Sequence, residues 1–250
     1  MGYETPQKPA TDTAATPAAS EPKETWEQRI KIFDRERVSG KYCGFIDILG
    51  FSNAIQNDLP RVLSLYEELL EDANWIQSQS TVVRVSIYSD SFVLVSPDLG
   101  PLISSARSLL FFLLFKRCHF RGGIAYGDHA EGEKAGTRFI VSAGISKAVA
   151  LEKSVKWPCV ALHSDLEIPD EAWVASARAL LYFDRLRLVN PFNVGWYRTA
   201  GTRVMGMARE HPQHMAKYDW FMRLHEAHAK ERLIPPDVLE RLRATYSGFE

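Results

Sequence analysis

The chain reads as an α+β fold with a β-α-β-β-α-β core, and three observations predict this. Runs rich in β-branched and aromatic residues recur around Phe45, Val85, Val93 and Ile124. Two intervening stretches carry leucines at helical spacing, and Gly50, Ser89-Asp90 and Gly122-Gly123 punctuate the runs.

The first strand is Gly44-Phe45-Ile46-Asp47-Ile48-Leu49, and Gly50 lets the backbone turn sharply at its end. Ser52 is the expected N-cap of a helix opening with Asn53-Ala54-Ile55-Gln56, a start that would turn free amides toward the strand end and favour phosphate. Pro60 closes that turn, and residues 61–78 form a helix on Leu63, Leu65, Leu69, Leu70 and Ile76. Residues 82–95 then make two β-rich runs that meet at Ser89-Asp90, a hairpin with an acid at its tip. A second helix spans 101–115, and the last core strand spans 119–126, broken by Gly122-Gly123.

Outside the core, Ala, Thr and Pro dominate residues 1–23, which are expected to be disordered. Residues 24–36 form a short helix with Trp26, Ile30, Ile32 and Phe33, and 37–250 form one domain ending in a helical extension. The charged stretch 128–136 is expected to be a loop able to move over a substrate. Further on, 158–162 is a strand, 170–180 a helix and 181–189 a strand ended by Asn190-Pro191-Phe192-Asn193. Residues 217–230 form a helix with Tyr218, Trp220, Phe221, Leu224 and His228, an aromatic stripe that reads as core.

A carboxylate inside an apolar strand requires a hydrogen bond, an ion pair or a metal, so Asp47 needs a partner. It could cap the following helix or meet a buried arginine. The order of elements favours a third answer. A right-handed crossover lets the third strand lie between the first and second, antiparallel to both, which sets the hairpin tip beside the end of the first strand. Asp47, Asp90 and Arg121 then converge on one sheet edge. Adjacent carboxylates repel one another unless a cation lies between them, so a divalent metal is the stronger reading.

These residues resemble the class III nucleotidyl cyclase catalytic domain, whose core is ferredoxin-like. Phe45-Ile46-Asp47-Ile48-Leu49-Gly50-Phe51-Ser52 is similar to the family's F-x-D-I-x-G-F-[ST]. Tyr88-Ser89-Asp90-Ser91-Phe92 stands where its G-D-x-[FY] hairpin would, and Arg121-Gly122-Gly123-Ile124-Ala125-Tyr126-Gly127 fits R-x-G-I-x-x-G. The resemblance implies that Asp47 and Asp90 are catalytic and hold two divalent cations, with the Ile48 carbonyl as a further ligand. It implies triphosphate contacts from the Gly50, Phe51 and Ser52 amides and from Arg121. It also implies a nucleoside triphosphate substrate and a head-to-tail homodimer with composite sites. Hard carboxylate donors suit Mg²⁺ or Mn²⁺ over zinc.

The departures are informative. The family's purine-selecting Lys and Asp positions fall on Ser86 and near Phe139, and its Asn and Arg positions fall on Ser146 and Ala150. Lys147, Lys153 and Arg138 are the candidates to restore a positive charge, and in the implied homodimer Arg138 and Lys147 would serve the partner's metal site instead of their own.

A short cyclase without the purine-selecting pair resembles the pyrimidine cyclases of bacterial Pycsar antiphage defence, which make cyclic UMP or cyclic CMP. Phe45 shares a strand face with Asp47 and could wall a small base, or be plain core. Arg84 and Ser86 share a face of the hairpin and are the polar candidates to read a pyrimidine edge, uridine slightly preferred over cytidine. The rivals are a purine or dinucleotide cyclase, a degenerate nucleotide-binding module, and an RNA-binding domain.

Composition bounds these readings. At 250 residues and 46% hydrophobic content the chain can bury a large core. A formal net charge of −1 argues against nucleic acid as a partner. The three cysteines, Cys43, Cys118 and Cys159, lack metal-ligand spacing, and their odd number fits a reducing, cytoplasmic setting. The longest apolar run, 109–115, is too short to span a membrane.

Overall fold

A computed structural model describes residues 38–134, 137–175, 178–192 and 196–245. The expectations for 1–23, for 24–36, for Asn193 and for the end of the 128–136 stretch lie outside the described residues. Strand β1 (Ser39–Ile48) leads into helices α1 (Phe51–Asn57) and α2 (Leu59–Ser78). The hairpin β2 (Arg84–Tyr88) and β3 (Ser91–Ser96) follows, then α3 (Leu99–Phe115) and β4 (Phe120–Lys134). As the crossover argument requires, β3 lies between β1 and β2 and is antiparallel to both, while β4 is antiparallel to β1 on its other side.

The chain continues through β5 (Thr137–Ser142), α4 (Ala143–Ser154), β6 (Val160–Leu162) and α5 (Asp170–Val174). It ends with the hairpin β7 (Leu180–Phe183) and β8 (Leu186–Val189), then α6 (Tyr197–Glu210), α7 (Met215–Lys230) and α8 (Pro236–Thr245). The strands join one mixed sheet in the order β2-β3-β1-β4-β6-β8-β7, with β5 paired to β4 beside that path.

Alternation along β1 decides which helix covers which face. Ile46 and Ile48 point into the apolar core with Phe92 and Leu94, against Val62, Leu69 and Ile76 of α2 and Leu102, Leu109 and Leu110 of α3. Phe45 and Asp47 point the other way, toward α4. That helix packs so tightly that a Cβ added at Gly123 would meet the Ala148 carbonyl oxygen at 2.4 Å. The aromatic residues of α7 are core, as expected: Tyr218, Trp220, Phe221 and Leu224 are buried.

Several local expectations are corrected. Ser52 is not the N-cap: Gly50 occupies that position with φ +84°, and α1 begins at Phe51. Pro60 lies in the first turn of α2, where the Asp58 side chain caps by accepting from the Arg61 amide at 3.2 Å. Gly122-Gly123 does not break β4; the strand runs through both because their missing side chains admit the Phe45 carbonyl and α4. Residues 128–134 are not loop but the outer half of β4, paired with β5 as a projecting arm. The helix expected over 170–180 stops at Val174, and the strand expected over 181–189 is a hairpin. Asp184 and Arg185 turn that hairpin at φ +52° and +62°, without the glycine or asparagine that usually marks such a turn.

Candidate active site

The register of four strands lays the site residues out in rows. Tyr88, Ser91, Asp47 and Arg121 pair across β2, β3, β1 and β4. The next row on the same face is Ser86, Val93, Phe45 and Gly123, and the third is Arg84, Val95, Cys43 and Ala125. The sheet therefore brings Asp47, Arg121, Phe45, Ser86 and Arg84 to one face, as their sequence alternation indicated.

Asp90 joins the first row from the hairpin turn. The Ile48 amide donates to the Asp90 carbonyl at 2.8 Å, which fastens the tip to the end of β1. Ser89 makes the turn at φ +55°, in the left-handed region that favours glycine. The Ser91 hydroxyl donates to Asp47 Oδ1 at 3.1 Å and lies 3.5 Å from Asp90 Oδ1. Burial and, after it, the Asp90 charge hold the Asp47 carboxyl above the usual carboxylate range, partly offset by the Ser91 hydrogen bond. A cation between the two acids would relieve both causes.

The residues present fit a hard cation: two carboxylates one hydroxyl apart, beside the strand end where β1 leaves the ladder. Among the described residues there is no group of three or more His, Cys, Asp or Glu side chains able to hold a metal. A third acid, Glu152 of α4, is close enough to raise Asp47, but it is ion-paired with Arg121. The sequence does not mark Glu152 as a site residue: its side chain is 4% exposed and its partner, Arg121, comes from a distant strand.

Phe51 and Ile48 have buried side chains, so only their main-chain groups are available to a ligand. Lys147 lies on α4, where its ammonium pairs with Asp165 at 3.7 Å rather than with the two acids. A cleft of about 1040 Å³ opens over the second and third rows, lined by Phe45, Arg84, Ser86, Arg138, Phe139 and Ser146. Arg84 reaches across it to an ion pair with Glu131 of the β4 arm, a residue the sequence did not single out. His119 and His129 are both buried, and burial pushes His119 down to about 4. The three cysteines are free and buried.

No protein-family model matches this chain, and no curated protein matches it. Solved structures with a similar chain path include the adenylyl cyclase CyaB from P. aeruginosa, at 12% identity and TM-score 0.48, covering 63% of this chain and 96% of that one. The guanylate cyclase domain of RhGC from Catenaria anguillulae in complex with GTP shares 12% identity at TM-score 0.44, covering 60% and 96%. A bacterial light-regulated adenylyl cyclase shares 13% identity at TM-score 0.41; the match covers 50% of this chain and only 43% of that one. At such scores the chemistry has to come from the residues themselves.

Proposed function

We propose that the protein is a nucleotidyl cyclase that converts a pyrimidine nucleoside triphosphate, UTP before CTP, to its 3′,5′-cyclic monophosphate and pyrophosphate. The observation that carries the reading is the succession of rows on one face, beside α4: paired acids at the strand end, then Phe45 with Ser86, then Arg84. A nucleotide with its phosphates at the acids lays its base over Phe45 and Ser86, with the far edge of the base toward Arg84.

In this reading Asp47 and Asp90, with the Ile48 carbonyl, hold two Mg²⁺ or Mn²⁺ ions. Bound there, the ions would acidify the ribose 3′-hydroxyl and offset charge on the departing pyrophosphate. The 3′-oxygen gives up its proton to solvent and bonds to the α-phosphorus in line as the bond to the β-phosphate bridge breaks and pyrophosphate leaves. Ser91 steadies Asp47, the Gly50, Phe51 and Ser52 amides meet the triphosphate, and Arg121 stands beside it. Phe45 walls the base, with Arg84 and Ser86 on its polar edge.

The pyrimidine preference is supported by Ser86 and Phe139, which both line the cleft where the resembled family has its purine-selecting Lys and Asp. The resemblance further supports a head-to-tail homodimer, in which Arg138 and Lys147 serve the partner's site. It also supports a cytoplasmic role as a second-messenger synthase in antiphage defence. A second reading, a nucleotide-binding module without turnover, is favoured by the exposed Ser146 and Ala150 where the family's Asn and Arg would stand.

The test is incubation of the purified protein with ATP, GTP, CTP and UTP in Mn²⁺, products separated by mass, beside Asp47→Ala and Asp90→Ala. A cyclic pyrimidine monophosphate from the wild type alone is the expected result. Nucleotide binding without pyrophosphate release would instead establish the module.

A further inference from the structure

Arg84 occupies the row farthest from the two acids. Along β1 that row lies four residues from Asp47, about 13 Å at the rise of an extended strand. Between them stand Phe45 and Ser86, so a base lying over Phe45 would bring its far edge to Arg84. One guanidinium nitrogen, Nη1, is bound to Glu131 across the cleft. Among the described residues the other guanidinium nitrogens have no hydrogen-bond partner. The pair is open to solvent, with side chains 59% and 36% exposed, and such pairs add little to stability. Its conspicuous effect is orientation. A long, otherwise free side chain is tied to the β4 arm, and both partners line the cleft, with donors of Arg84 left unused.

We propose that Arg84, positioned by Glu131, selects a keto group over an amino group at the distal edge of the base. This rests on the cyclase reading of the cleft and deepens it. A guanidinium carries five N–H donors, no acceptor, and keeps its proton at physiological pH. It can therefore satisfy a carbonyl oxygen such as O4 of uracil, whereas the exocyclic amine of cytosine or adenine sets donor against donor. The polarity of the cleft edge, and not its size alone, then favours uridine over cytidine. Glu131 acts through Arg84: it fixes where the donors point, and its own carboxylate is left beside His129, whose Nε2 lies 3.9 Å from Oε2.

The test uses the full chain and the non-cyclisable α,β-methylene analogues of UTP, CTP, GTP and ATP, with affinities measured by calorimetry in Mg²⁺. The uridine analogue is expected to bind about tenfold or more tightly than the cytidine analogue. Arg84→Glu combined with Glu131→Arg keeps the ion pair and reverses its polarity, so the ratio should invert. Arg84→Met, a single exposed change, should bring the ratio close to one, and Glu131→Gln should lower it. A wild type that binds both analogues equally, or a swapped variant that still prefers uridine, overturns the proposal. A cyclic product without keto preference removes this inference and leaves the cyclase. Keto preference in binding without any cyclic product leaves this inference and removes the turnover.

Discussion

Arg121 stands opposite Asp47 across the β1–β4 ladder, yet its guanidinium is ion-paired with Glu152 of α4 and not with the aspartate. The pair ties α4 to the start of β4 and engages the third acid of the neighbourhood apart from the Asp47–Asp90 couple. Removing one member strands the other. Arg121→Ala leaves Glu152, 4% exposed, without its counter-charge, and should cost about 3–5 kcal/mol of unfolding free energy by denaturant titration. Glu152→Gln should cost less, because a neutral amide can remain beside the guanidinium.

Asp47 carries its own signature. Its folded-state carboxyl is raised, so the folded chain holds that proton more firmly than the unfolded one. Stability is therefore favoured on the acid side and declines as pH climbs from the ordinary value of 3.8 through the folded one. Asp47→Asn should unfold at a higher temperature than the wild type at pH 7, and the gap should close below pH 3.8. Added Mn²⁺ should raise the wild-type midpoint and leave the variant's unchanged. A wild type indifferent to the cation would remove the metal couple.

Gly123 is a packing requirement. With 2.4 Å between an added Cβ and the Ala148 oxygen, Gly123→Ala must push α4 off the sheet, and about 1–3 kcal/mol of stability should be lost. Because α4 carries Glu152 and Ser146, activity should fall further than stability alone explains; equal melting curves for the two proteins would contradict this.

His119 makes the fold sensitive to acid. Burial, reinforced by the nearby Lys217, His214 and His211, depresses it to about 4 from an ordinary 6.5. The stabilising neutral form is fully present above pH 6.5, and stability falls as pH drops toward 4 because only the unfolded chain takes up the proton there. The loss over that window should be about 3 kcal/mol. His119→Phe, which can keep the ring contact with Tyr218, should flatten the pH profile between those limits.

The core order and the meeting of Asp47 with Asp90 were legible because strand alternation and crossover handedness leave few other arrangements. What was missed has local physical causes. The strand was expected to end at 126, but it continues through Gly127, where the absent side chain leaves room for the Gly144 amide that an added Cβ would approach to 2.7 Å. The strand's outer half, and with it Glu131, was therefore taken for loop. Asp184-Arg185 turns a hairpin with an arginine where such a turn usually has glycine. Helix α6 was overlooked since Gly201 and Gly206 interrupt its pattern, although Gly201 lies against the His225 ring. Glu152 was readable only as a charged helix position, because its partner comes from a distant strand.

The interior placement of all three thiols has a practical corollary. Cys43, Cys118 and Cys159 are each under a tenth exposed, and burial pushes every one of them above the ordinary thiol range. Thiolate is the form that reacts with maleimides, so the native chain is close to silent toward such dyes. A single cysteine introduced on the β4–β5 arm can thus carry a fluorophore or spin label against an almost blank background, with no native residue replaced to prepare the chain.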